Sequence, residues 1–251
     1  MEQIVKKFDE FIAAMRAAFA DKSFTYTDRR KHIALLLFSR ISSGCDTCQL
    51  LIQNGMISFF PVVLRSIHEA SIDLINVTKD DNYPDIMLLS FAEQELKLLR
   101  HFETHKKYMT YFRDGSIPKQ RLETAKGIVA KHKNIKNKTK LHSRFKSAGR
   151  EIEYFSLYND LCRSSHNNLD ILVHVHSDNN GNDAIQHHTA SIENTAKYIH
   201  STTTIFAHSA LVFCDFLSAK EINTSALMES AKSVLDLVEA ASAPQPPTPS
   251  D

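Results

Sequence analysis

Residues that break helices are scarce in this sequence, and their scarcity limits the folds open to the chain. The 251 residues include 6 glycines and 7 prolines. Four of those prolines fall after residue 243, so only Pro61, Pro84 and Pro118 interrupt the chain before that point. Sheet proteins need a turn about every 8–12 residues, and turns rely on glycine and proline. The sequence therefore predicts an all-α fold, a single helical bundle of about seven or eight helices.

The spacing of apolar residues indicates where these helices lie. The helix from Ile57 to Val77 is apolar on nearly every side, so we expect it at the centre of the bundle. The helix before it is expected to begin after an N-cap at Thr27 and to end or kink at Gly44. Pro118 opens a later helix. The other expected helices cover residues 1–20, 84–112, 151–174, 185–218 and 225–240.

Composition places the chain among ordinary globular proteins, with 43% hydrophobic and 24% charged residues. We expect one helical domain over residues 1–242 and a disordered, proline-rich tail over 243–251. No apolar run approaches the roughly 18 residues that a membrane span requires, and the charged N-terminus does not resemble a signal peptide. The prediction is a cytoplasmic protein without membrane contact. Cys45 and Cys48 have no second ligand pair, so neither a metal nor another cofactor is predicted.

A polar stripe interrupts the expected central helix. Arg65, Glu69 and Asp73 recur every four residues and therefore share one helix face. A charge on such a helix is costly unless it is paired and hydrogen-bonded. Arg65 and Glu69 are the obvious pair, and we expect another helix to contribute a further polar partner.

A second polar row lies on the helix expected over 151–174. Tyr158, Cys162 and His166 again recur every four residues, with Asn167 beside them. This row could complete the hydrogen bonding of the first stripe. Two interpretations stay open: a structural network that specifies packing, and a catalytic or binding site. The candidate catalytic residues are Arg65, Glu69, Tyr158, His166 and Asn167.

Both stripes resemble motifs of a bacterial family of unknown function, the one numbered 5677. The stretch LRSIHEASIDLINV (64–77) resembles its signature helix, and YNDLCRSSHNNL (158–169) resembles its second motif. The resemblance spans about residues 30–220. It implies a helical bacterial protein with a shared polar cluster at the matching residues, and it implies no activity.

A further resemblance points to ribonucleases of the HEPN type (higher eukaryote and prokaryote nucleotide-binding domains). Those metal-independent enzymes carry an Arg followed by a His five to seven residues later, and Arg100 with His105 matches that spacing. The resemblance implies an RNA-directed stress or phage-defence factor. In that role His105 or His166 would act as general acid–base, and an arginine such as Arg65 or Arg100 would hold phosphate.

The near-zero net charge of the chain conceals a strongly basic segment. Residues 124–150 contain nine of the 30 basic residues and no acidic residue, which leaves 21 basic against 29 acidic residues elsewhere. Such a segment can bind RNA phosphates by counterion release, or it can be a solvated connection. A homodimer or a partner protein is the alternative to RNA, and a non-enzymatic interaction or regulatory module is the alternative function. The candidate nucleic-acid-binding residues are Lys131, Lys133, Lys136, Lys138, Lys140, Arg144 and Lys146.

Overall fold

The computed structural model describes residues 1–20, 22, 24, 28–104, 116–165 and 192–242, apart from the side chains of 101–104, 116–118, 136–138 and 192–193. Within these residues the chain forms nine helices and no strand, which confirms the all-α prediction. The helices are α1 Glu2–Phe19, α2 Arg29–Gln53, α3 Phe60–Lys79, α4 Tyr83–Thr104, α5 Ser116–Lys131, α6 Leu141–Ala148, α7 over 151–165, α8 Ile192–Leu217 and α9 Thr224–Ser242.

The basic segment accounts for the one helix beyond the expected number. Instead of one connection it forms a 3₁₀ segment, Lys133–Thr139, followed by the short helix α6. Gly149 then ends α6 in the left-handed conformation, with φ of 76°. The expected continuations at 105–112 and 166–174, and the tail at 243–251, lie outside the described residues.

The prediction that α3 is central is confirmed, because 13 of its 20 residues are buried. It packs against α2 and α8 on one side and against α6 and α7 on another. A cluster of aromatic rings joins α2 to α8, where Phe38 and Phe213 stack with centroids 4.4 Å apart. None of the helices in the described part of the chain is long and apolar enough to cross a membrane.

Two details of α2 differ from the sequence prediction. Its N-cap is Asp28 and not Thr27, since the Asp28 carboxylate accepts a hydrogen bond of 3.0 Å from the Lys31 N–H. The helix also continues through Gly44 to Gln53. Gly44 lies where α3 crosses α2: a Cβ there would stand 2.5 Å from Cγ1 of the buried Ile67. The glycine therefore permits close packing of two helices and does not end one.

We expect Gly44→Ala to destabilise the protein although alanine is the better helix former. The gain in helix propensity is about 1 kcal/mol, whereas overpacking a core contact costs about 1–3 kcal/mol. Gly127→Ala on α5 is the matched control, because a methyl group at Gly127 would meet no atom within 4 Å apart from its chain neighbours and the backbone of its own helix. Relative to the unaltered protein, the free energy of unfolding in urea should be lower for Gly44→Ala and equal or higher for Gly127→Ala. Stabilisation by both substitutions would contradict the packing role of Gly44.

Candidate functional site

The predicted contact between the two polar stripes is present in the structure. Tyr158 on α7 donates a hydrogen bond of 2.8 Å from its hydroxyl to Glu69 Oε1. Arg65 Nε lies 3.1 Å from the same carboxylate oxygen and 3.2 Å from the Tyr158 hydroxyl oxygen, and donates to both. One carboxylate oxygen thus receives two donors from two helices, which ties α7 to α3.

The Arg65 cluster, which we define as Arg65, Glu69 and Tyr158, is partly open to solvent. The Arg65 and Glu69 side chains are 31% and 32% exposed, whereas Tyr158 is buried. Burial raises the pKa of Tyr158, and its hydrogen bonds with Cys162 and Glu69 raise it further, so the phenol stays protonated. The terminal nitrogens of Arg65 form no hydrogen bond with any residue that the structure describes. A guanidinium with N–H donors available at a partly open position can bind an anion.

A turn of π-helix positions Tyr158. Residues Tyr154–Tyr158 of α7 are π-helical, and the wider turn stacks the rings of Tyr154 and Tyr158 with centroids 5.6 Å apart. Phe145 of α6 packs against both rings. Single π turns are frequent at functional sites.

The third residue of the α3 stripe, Asp73, forms a second cluster that likewise consists of a carboxylate, an arginine and a tyrosine. Tyr83, at the start of α4, donates a hydrogen bond of 2.5 Å to Asp73 Oδ1. Arg144 of α6 binds both carboxylate oxygens, with Nε 2.8 Å from Oδ1 and Nη2 on Oδ2. We call Asp73, Tyr83 and Arg144 the Asp73 cluster.

The Asp73 cluster is more deeply buried than the Arg65 cluster. The Arg144 and Asp73 side chains are 15% and 12% exposed. Burial alone would lower the pKa of Arg144, but the charge and hydrogen bonds of Asp73, together with those of Tyr83, outweigh it and raise that pKa above its ordinary value. Sequence reasoning placed Asp73 on the stripe but did not identify Tyr83 and Arg144 as its partners. The sequence offered one indication of such partners: a carboxylate on a buried helix needs a cationic or hydrogen-bonding group beside it.

Arg144 belongs to the predicted RNA-binding set, and the structure places it inside the fold. Two further bonds fix the same helix on α3, because Asn76 donates to the Arg144 carbonyl and Lys79 donates to the Ala148 carbonyl, each over 2.9 Å. Lys131, Lys133, Lys140 and Lys146 are exposed. The Lys136 and Lys138 side chains, like His105, His166 and Asn167, lie outside the described residues.

One of those lysines lines a groove with the predicted alternative residue Arg100. Lys97 and Arg100 of α4 face Lys140 across a cavity of about 400 Å³. We call this cavity the α4 groove. Its remaining lining residues are Glu93, Leu96, Val129 and Thr139. Three cations therefore surround one carboxylate in a space large enough for a small ligand.

The C-x-x-C pair is a packed part of α2. Cys45 and Cys48 are both buried, and burial raises the pKa of Cys48 to about 12. At neutral pH the Cys48 thiol is therefore protonated and a poor nucleophile. Among the described residues no group of three or more His, Cys, Asp or Glu side chains could hold a metal ion.

Comparison with known proteins gives one family. The model of a family of unknown function (DUF5677) matches residues 31–183, more than half of the chain. The match begins where the sequence resemblance was expected to begin and ends at residue 183, before the expected end near residue 220. It includes both clusters and the α4 groove. No curated protein and no solved structure matches the chain.

We expect the two arginines to differ in their effect on stability. Arg144→Met leaves the buried carboxylate of Asp73 without its cation, which costs about 3 kcal/mol. Arg65→Met leaves Glu69 partly solvated and still bonded to Tyr158. The free energy of unfolding should therefore fall by only about 1 kcal/mol. Urea unfolding of both variants measures the difference. An equal loss for both would contradict the assignment of a structural role to Asp73 and a more open position to Arg65.

Proposed function

We propose that this chain, which belongs to the family of unknown function numbered 5677, is a HEPN-like, RNA-directed stress or phage-defence factor. The observation that carries the proposal is the α4 groove. There Lys97 and Arg100 from one helix converge with Lys140 from the basic segment. Arg100 is also the first residue of the pair that resembles the HEPN motif.

The charges of the α4 groove suit the RNA backbone. Lys97 and Lys140 are exposed and form no ion pair with any residue that the structure describes. Their positive charge is therefore available for phosphates, and binding would release the counterions that surround the RNA. Lys131, Lys133 and Lys146 extend the same basic segment along the surface.

The proposed chemistry is metal-independent cleavage of RNA. A histidine, His105 or His166, would remove the proton of the 2′-hydroxyl as its oxygen attacks the adjacent phosphorus. The bond from phosphorus to the 5′-oxygen breaks, and the leaving oxygen takes up a proton. Arg65 or Arg100 would hold the scissile phosphate. The terminal nitrogens of Arg65, which bind no other residue in the described part of the chain, support such a role. Glu69 and Tyr158 act as positioning residues in this proposal, because they orient Arg65 through its Nε.

A non-enzymatic interaction module is the second candidate function, and one observation favours it. Ile152 and Phe155 on α7 are 83% and 61% exposed, which is unusual for large apolar side chains on adjacent turns. A second copy of the chain or a partner protein could cover them. In this alternative the two clusters serve only to fix α6 and α7 on α3.

We expect the protein to bind single-stranded RNA with an affinity that falls as salt rises. The double variant Lys97→Ala/Lys140→Ala removes two phosphate contacts and should lower the slope of log K against log salt by about 1.4. Fluorescence anisotropy of a labelled oligonucleotide measures that slope. Lys6→Ala/Lys232→Ala is the matched control, because it removes two exposed charges from α1 and α9.

Growth on expression and RNA cleavage by the purified protein separate the two candidate functions. A ribonuclease should arrest growth on expression and cleave RNA in the presence of EDTA, and His105→Ala or His166→Ala should abolish both effects. RNA that is bound but stays intact would leave the interaction module as the function. Absence of RNA binding by the unaltered protein would refute the proposal altogether.

A further inference from the structure

The α4 groove contains one group that phosphate binding does not use. Glu93 accepts a hydrogen bond of 3.0 Å at Oε2 from the Thr139 hydroxyl. Its other oxygen, Oε1, is buried and has no hydrogen-bond partner among the described residues. A buried acceptor without a donor costs about 1–3 kcal/mol, and more when it is charged. The structure therefore leaves an unsatisfied carboxylate oxygen in the wall of a groove lined by cations.

The unsatisfied oxygen restricts which ligand fits the groove. A phosphate presents acceptors only, so it can bind Lys97 and Lys140 but would be repelled by Glu93. A ligand that suits all three side chains carries an N–H donor together with an anionic group. An RNA nucleotide has both when its base bears an exocyclic amine, and a carboxylate accepts well from the N4 amine of cytosine.

The remaining walls of the groove suit the faces of a base. Leu96 and Val129 are apolar and line the same cavity of about 400 Å³ as Glu93. Ligand pockets of this kind combine apolar walls with a few placed polar groups, and their usual volume is about 300–1,000 Å³. Lys97 stands on the same wall as Glu93, which it follows by one helical turn on α4, whereas Lys140 comes from the opposite side of the groove.

We propose that Glu93 reads the exocyclic amine of the base of a bound, unpaired nucleotide, such as cytidine. Its Oε1 accepts a hydrogen bond from the exocyclic amine, while Lys97 and Lys140 bind the flanking phosphates. The inference rests on the proposed RNA binding and names the substrate class of that same groove. Uracil presents a carbonyl oxygen where cytosine has the amine, so it meets Glu93 acceptor to acceptor.

The experiment compares oligocytidylate with oligouridylate of equal length at pH 7.5, using fluorescence anisotropy. The two ligands share one backbone charge and differ at the base edge. The unaltered protein should bind oligocytidylate about tenfold more tightly, as expected for one hydrogen bond to a charged acceptor. This comparison needs no variant, so it does not depend on the folding of any substitution.

Glu93→Gln supplies the second arm, because it keeps the side-chain size and removes the charge. We expect the cytosine preference to fall toward unity, with oligouridylate binding unchanged or tighter as a negative charge leaves the groove. Glu123→Gln on α5 is the matched control: Glu123 is exposed and pairs with Lys126, and the preference should persist.

The outcomes separate the inference from the proposed function. Equal affinity of the unaltered protein for the two oligonucleotides, or a preference that survives Glu93→Gln, would overturn the base-reading role and leave RNA binding in place. Failure to bind either oligonucleotide would refute the proposed function, and the inference with it.

Discussion

Asp73 is held inside the bundle by Arg144 and Tyr83, and the position of α6 depends on that contact. A buried carboxylate that lost its partners would destabilise the fold by several kcal/mol. The chain must therefore bring α6, which is far from α3 in sequence, against the middle of α3. The bonds that Asn76 and Lys79 donate to α6 carbonyls fix the same arrangement. The α4 groove exists because α6 and the preceding 3₁₀ segment are fixed there.

The two clusters show how one helix face serves two purposes. Glu69 and Asp73 stand four residues apart on α3, and each is bonded by one arginine and one tyrosine. Arg65 lies on α3 itself, whereas Tyr158, Tyr83 and Arg144 come from other helices. The two clusters differ in whether their guanidinium group has N–H donors available for a ligand. The guanidinium of Arg144 is largely buried and bound to both oxygens of its carboxylate. Arg65 is about a third exposed, and it donates to the residues that the structure describes through Nε only. The first arrangement stabilises the fold, and the second can also bind an anion.

The sequence predicted the features that depend on local pattern. The scarcity of glycine and proline indicated the helices, and the spacing of four residues indicated that Arg65 would pair with Glu69 and meet Tyr158. The missed features depend on packing between distant segments. Arg144 looked like one of nine similar cations, because nothing local distinguishes an inward-facing arginine in a basic segment. Gly44 looked like a helix end, because its neighbour Ile67 is 23 positions away. No local pattern marks Glu93 as a site residue, because its position beside Lys140 follows only from the path of the 3₁₀ segment.

The α3 stripe fixes α6 and α7 on an otherwise independent apolar core. Hydrogen exchange followed by mass spectrometry of Asp73→Asn tests it most directly, since that substitution removes the charge and keeps the size. We expect faster amide exchange across residues 141–165, with little change in α1, α2, α8 and α9. Uniform acceleration through the whole chain, or unchanged protection of residues 141–165, would contradict that claim.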